Sequence, residues 1–176
     1  KSAKDLLGFF ADRLKVHLRE RGVRADLIAA VFALTVEDDL VRLLARVDAL
    51  SSFLDTEEGA DLLTAHRRAT NIVRIEEKKH EVYRGEWDTT LLSEDDEVAL
   101  VSALNDARSD LEPLLKSEKF EDAMRVLSKL RIPVDGFFAN VTVNVDDASL
   151  RANRLRLLSQ ITATLELVAD FSEIKG

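Results

Sequence analysis

Apolar residues recur at three- and four-residue intervals along nearly the whole chain, and this spacing predicts helices throughout. Leu6, Leu7, Phe9, Phe10 and Leu14 fall on one arc, which predicts a first helix over 3–21 that Gly22 stops. A shorter helix follows at about 25–34, and Thr35-Val36-Glu37-Asp38 reads as a capping box opening a third, to about Phe53. Thr56 caps a long fourth helix, predicted to end near Arg84 with Gly85 beyond it, and "GEWDTTLL" (85–92) reads as a loop. Ser93 with Asp96 forms another capping box for a helix running toward Pro113, and Ser117 opens one to about Arg131. "IPVDGFFANVTVNV" (132–145) holds a short helix or turn. Its "VTVNV" alternates like a strand but has no partner, so it reads as an extended connector. Asp146 and Asp147 cap a last helix over about 147–170. The expected fold is all-α, a bundle of about seven or eight helices in one domain spanning 1–176.

Composition narrows this picture. A chain of 176 residues, 46% hydrophobic and 33% charged, is long enough for a real core and well solubilised. Two prolines and six glycines supply few of the breakers that all-β turns need. Cysteine is absent, which excludes disulfides and thiolate metal sites. No apolar run approaches the roughly 20 residues of a membrane span, and no signal sequence is visible, so a soluble cytoplasmic setting without membrane contact is expected. The chain starts with lysine, which suggests a fragment of something longer.

The net charge of −8 argues against indiscriminate nucleic-acid binding, but the charge is zoned. Residues 1–35 and 62–84 each carry net +3, whereas 36–61 carry −6 and 85–115 carry −8. A local cationic face is therefore compatible with an acidic total.

Catalytic constellations do not assemble. His17, His66 and His80 share no metal-ligand spacing, and neither a glycine-rich phosphate loop nor a nucleophile elbow occurs. Adjacent acids such as Glu76/Glu77 and Asp38/Asp39 point about 100° apart on a helix and read as solvated charges. Catalytic, metal and cofactor sites are expected to be absent from this chain.

Two stretches carry candidate binding chemistry. In "TAHRRATNIVRIEEKK" (64–79), Leu62, Ala65, Ala69, Ile72 and Val73 gather on one helix side, while Arg67, Asn71, Arg74 and Lys78 line the other. Guanidinium forks with one amide suit phosphate and base-edge contacts, although the same stripe also reads as an ordinary solvated face flanked by Glu77 and Glu81. In "VDDASLRANRLRLL" (145–158), Arg154 falls inside the apolar arc formed by Leu150, Leu157, Leu158, Ile161, Leu165 and Val168, and Arg156 points away. Arg154 is predicted to be structural, with Asp135 or Asp170 as its partner, because a buried unpaired charge costs several kcal/mol. Arg151 and Asn153 are placed at the mouth of a groove. On the first helix, Arg13 and His17 fall on the apolar arc. Arg13 reads as a buried ion-pair member and His17 as a core-edge histidine, with Lys15 and Arg19 pointing outward.

Longer blocks now add a resemblance. "DLLGFFADRLKVHLRERGVRADLIAAVFAL", "EDDLVRLLARVDALSSFL", "RRATNIVRIEEKK", "PVDGFFANVTVNVDDASLRANRLRLL" and "VADFSEIKG" resemble, in family order from about Asp5 to Gly176, the C-terminal region of the bacterial glycyl-tRNA synthetase beta subunit. "LRANRLRLL" is also similar to the final helix of DALR anticodon-binding domains. Ala139-Asn140 departs from the charged pair usual in the family. The resemblance implies an all-helical anticodon-binding domain that recognises tRNA(Gly) rather than performing chemistry. It further implies a heterotetramer with an alpha subunit that activates glycine with ATP and magnesium. On this reading Lys15, Arg19, Lys78 and Lys79 contact phosphates and position the loop, while the Arg67/Asn71/Arg74 stripe and Arg151/Asn153 meet unstacked bases. The acidic segments 36–61 and 85–115 are expected to face away from RNA. A helical protein-interaction or scaffold domain with no RNA role is the competing reading.

Overall fold

The computed structural model describes residues 3–34, 39–79 and 81–175, and helices make up most of them. The helices are α1 (Ala3–Glu20), α2 (Ala25–Phe32), α3 (Leu40–Leu54), α4 (Glu57–Glu77), α5 (Asp95–Lys116), α6 (Phe120–Ser128), α7 (Arg131–Asn140) and α8 (Ala148–Leu165). Short 3-10 turns at Thr89–Leu91 and Phe171–Glu173 complete the order, and no strand occurs among the described residues. The 141–145 segment is an unpaired connector between α7 and α8.

Local chemistry sets most boundaries. Gly22 at φ +84° ends α1 in the left-handed conformation, and the Val23 N–H turns back to the Leu18 carbonyl at 3.0 Å. Thr56 accepts the Gly59 N–H at 3.0 Å to open α4, and Asp147 accepts from Ser149 and Leu150 to open α8. The Thr35–Asp38 box lies outside the described residues; α3 is opened by Asp39, which accepts from Val41 and Arg42.

Five boundaries differ from the pattern's expectation, one being the end of α8, at Leu165 rather than near 170. α4 stops at Glu77, not near Arg84, because the chain turns there to bury Tyr83, whose N–H donates to Glu77 Oε1 and whose carbonyl accepts from Ser159. At α5 the cap is shifted by one residue: Glu97, not Asp96, reaches back to the Glu94 N–H at 3.2 Å. That helix also passes through Pro113 to Lys116: proline forfeits the bond an N–H at 113 would make to the Ser109 carbonyl, but the turn closes beyond it through the Ser117 N–H to the Pro113 carbonyl at 3.0 Å, and Leu111 is fully buried. The stretch expected as one helix from Ser117 to Arg131 is instead broken: Glu118 at φ +61° turns the chain, α6 is short, and the Pro133 segment forms the ten-residue α7.

One contiguous core runs through the bundle, with Phe137, Phe171, Leu50, Leu104 and Leu127 fully enclosed. α4 and α8 form its most extensive helix pair, α5 covers α6, α7 and α8, and α3 bridges α2, α4 and α6. The entry to α4 is tight: a Cβ on Gly59 would lie 1.9 Å from the Phe53 carbonyl oxygen, so only glycine fits. α1 is different, since among the described residues α2 is its only extensive neighbour. Only Leu14 and Leu18 of its described side chains reach the core, while Leu6, Phe9 and Phe10 are exposed. Arg13 is accordingly no buried ion-pair member, because it lies exposed with its guanidinium 5.6 Å from the Phe9 ring centroid. His17 is exposed for the same reason, as α1 has too few neighbours to cover its arc.

Candidate nucleic-acid interface

Charge is polarised along α4. Glu57, Glu58 and Asp61 occupy its first turns, where the helix dipole favours anions, and the cations follow in the C-terminal half. Arg131 of α7 gathers the acids, lying 3.0 Å from Glu57, 3.8 Å from Glu58 and 2.9 Å from Asp61. Partial desolvation works against its charge, but these carboxylates outweigh it and raise the Arg131 pKa. Asp61 and Arg74 stand 13 residues apart, which is about 20 Å along a helix axis. The anionic end thus stays net negative around Arg131, well away from the cationic one.

The predicted stripe is present as an exposed face: Arg67, Asn71, Arg74 and Lys78 all reach solvent. Their engagement differs. Arg74 lies 3.4 Å from the Asn71 amide oxygen, and Lys79 pairs at 3.4 Å with Glu76. Lys78 and Arg84 have no hydrogen-bond or ion-pair partner among the described residues. Arg67 commits one arm to the Ile174 carbonyl at 2.9 Å. Arg68 is turned aside, over the Phe138 ring at 4.5 Å from its centroid.

Beside this face, α4 and α8 leave a groove of about 500 Å³ lined by Val73, Arg74, Glu77, Arg84, Glu166 and neighbouring small residues. Sequence reasoning missed it, because it exists only through the pairing of two helices remote in sequence. Arg84 and Gly85 were legible merely as a helix end.

The arginines of α8 are mostly structural. Arg154 is buried and bonds Glu97 at 3.0 Å, Ser93 Oγ at 3.1 Å and the Thr142 carbonyl at 2.7 Å. Its partner is thus Glu97 of α5, not Asp135, which lies by Arg131, nor Asp170, which caps the final 3-10 turn. Asn153 is not at a groove mouth. It is fully buried, accepting the Asp88 N–H at 2.7 Å and donating to the Asp88 carbonyl at 3.1 Å, and so clamps the 85–92 loop. Arg151 is half-buried and donates to the Val145 carbonyl at 2.9 Å, holding the connector rather than lining a groove. Arg156 is half-buried near Asp88, whose pKa is lowered chiefly by the Thr90 hydroxyl and N–H and further by Arg156. Asn140 donates to Asp96 at 2.9 Å.

Lys15 and Arg19 stand on α1, apart from the α4 stripe, with Lys15 half-buried over the Phe32 ring. The two basic zones meet elsewhere: Arg24 donates to the Lys175 carbonyl, next to the Ile174 carbonyl held by Arg67. Asp26 accepts the Lys175 N–H at 2.9 Å. Burial alone pushes the Asp26 carboxyl up, but the Arg24 guanidinium with the Lys175 and Leu27 N–H groups outweighs it and holds the pKa below normal.

Among the described residues no group of three or more His, Cys, Asp or Glu is placed to hold a metal, and no helix is long and apolar enough to cross a membrane. Helices around one core present guanidinium, amide and ammonium groups on an exposed face. The chain belongs to the DALR anticodon binding domain family, whose model matches residues 62–175. It is similar to proteins named glycine–tRNA ligase beta subunit: 61% identical over 174 residues in Rhodospirillum centenum, 52% over 172 in Phenylobacterium zucineum and 47% over 174 in Cereibacter sphaeroides. Each match covers 98% of this chain, which spans about a quarter of the length of those relatives.

Proposed function

We propose that this chain is the tRNA-anticodon-reading part of a glycine–tRNA ligase beta subunit, acting in the cytoplasm on tRNA(Gly). The observation that carries the reading is the exposed α4 face. Arg67, Asn71, Arg74 and Lys78 project from a helix inside the matched family span, while Arg131 pairs with Glu57 and Asp61 at the far end of the same helix. Unstacked anticodon bases are read on their edges by arginine and amide groups, and ammonium groups hold the phosphates. Lys78 and Lys79 would take phosphates on either side of the loop. Chemistry lies outside this chain: an alpha subunit joined with the beta subunit in a heterotetramer would activate glycine with ATP and magnesium.

The test is charge reversal in the complete enzyme. Arg74→Glu should weaken binding of tRNA(Gly) at least tenfold with helical content unchanged, and tRNA(Gly) should outcompete the same tRNA with an altered anticodon loop. Equal binding of both tRNAs, or unchanged affinity of the variant, would refute the reading. The exposed Leu6, Phe9 and Phe10 face of α1 favours a second role in protein contact, checked by whether Phe9→Ser loosens association of the assembled enzyme while sparing tRNA affinity.

A further inference from the structure

The groove between α4 and α8 carries chemistry that phosphate binding does not explain. Arg74 and Arg84 border it, yet Glu77 and Glu166 line it as well. Two carboxylates inside a groove repel a phosphate. They remain good acceptors for neutral N–H donors, and both are already oriented. Glu166 Oε1 lies 3.1 Å from Nε2 of His66, a histidine only 2% exposed, and Glu77 Oε1 accepts the Tyr83 N–H at 3.1 Å. The second oxygen of each makes no hydrogen bond with the described residues. Val73 and Ala163 supply apolar lining, and a volume of about 500 Å³ is of the size that small-molecule sites use.

From this arrangement we infer that the groove receives one flipped-out, amino-bearing nucleobase of the anticodon loop. Glu166 or Glu77 accepts the exocyclic amino protons, and Arg74 or Arg84 donates to a ring acceptor or carbonyl beside them. The inference rests on the tRNA-binding reading above and adds the base class. Uracil is rejected, because it offers a single N–H between two carbonyl groups and would set a carbonyl oxygen against a carboxylate. One such donor-to-acceptor mismatch at a paired base edge is worth roughly tenfold or more in affinity. Carboxylates in a cationic neighbourhood thus act as a filter, excluding backbone phosphate and selecting a base by its amino group.

The test measures affinity of the complete enzyme for tRNA(Gly) transcripts in which each amino-bearing base of the anticodon loop is replaced singly by uridine. One position should show a loss of roughly tenfold in the unaltered enzyme. Glu166→Gln or Glu77→Gln, which keep an acceptor for His66 or Tyr83, should erase the penalty at that position and leave the others unchanged. Ala163→Phe, at an exposed site on the groove, should block the base and weaken native tRNA binding without moving the thermal midpoint. Uridine penalties identical in both glutamine variants, or native affinity in Ala163→Phe, overturns the inference. If Arg74→Glu weakens binding while the groove variants do nothing, the groove assignment alone falls; if Arg74→Glu is also silent, the tRNA reading falls with it.

Discussion

Replacing Arg154 is the sharpest test of how α5 and α8 are joined. Arg154 is 4% exposed and Glu97 not at all, so the pair exchanges hydration for each other and for Ser93 and the Thr142 carbonyl. Arg154→Met keeps most of the side-chain volume but strands a buried carboxylate with only the Ser93 and Glu94 donors. Breaking a buried pair from one side costs about 3–5 kcal/mol. For a chain of this size each kcal/mol lowers the melting midpoint by about 2–4 °C, so the expected drop is roughly 6–20 °C. Urea unfolding followed by far-UV circular dichroism gives the same quantity as a free energy. A double-mutant cycle then isolates the ion pair: in a Glu97→Gln background, which retains the acceptor for the α5 cap, Arg154→Met should cost less by about 1–3 kcal/mol. A loss under about 1 kcal/mol for Arg154→Met, or a coupling near zero, would refute the assignment of Arg154 as the pin between these helices.

Three further outcomes follow from the geometry. Asn153→Ala should destabilise the chain by about 1–3 kcal/mol and expose the 85–92 loop to proteolysis, because the Asp88 N–H and carbonyl lose their only clamp from α8; a loop as resistant as before would contradict this. Gly59→Ala should cost at least about 1–3 kcal/mol by urea titration, since its methyl would meet the Phe53 carbonyl, and a neutral result would show that the α3–α4 corner yields. The folded pKa of Asp26 lies below its ordinary 3.8, so its stabilisation is complete above that value and fades as pH falls through the folded one. Protection of the Lys175 amide relative to its intrinsic exchange rate should fall on that acid limb, and Asp26→Asn should abolish that fall.

Much of this architecture was legible because short-range rules govern helices. The all-α class, the stops and caps at Gly22, Thr56 and Asp147, the exposed α4 stripe and the burial of Arg154 all follow from periodicity and capping chemistry. What escaped depends on tertiary partners. Periodicity puts Arg154 inside, but only the α5–α8 pairing selects Glu97 over Asp135. Arg13 and Arg154 read alike on their helices, yet α1 lacks the neighbours that enclose α8, and one arginine ends in solvent. Asn153 offers the same amide as Asn71, and whether it meets a ligand or the Asp88 backbone is decided by a loop whose path the spacing does not encode. The early stop of α4 has the same origin, since burying Tyr83 wins over continued helix.

The segment from Leu167 to Lys175 hydrogen-bonds to three helices made long before it: Asp170 donates to Ala30 of α2, Arg46 of α3 donates to the Leu167 and Val168 carbonyls, and Arg67 of α4 takes the Ile174 carbonyl. During synthesis those arginines leave the ribosome with their acceptors not yet translated. The bundle gains these hydrogen bonds only after residues 167–175 have cleared the exit tunnel, and a ribosome stalled inside α8 holds a nascent chain in which α2, α3 and α4 pack without them.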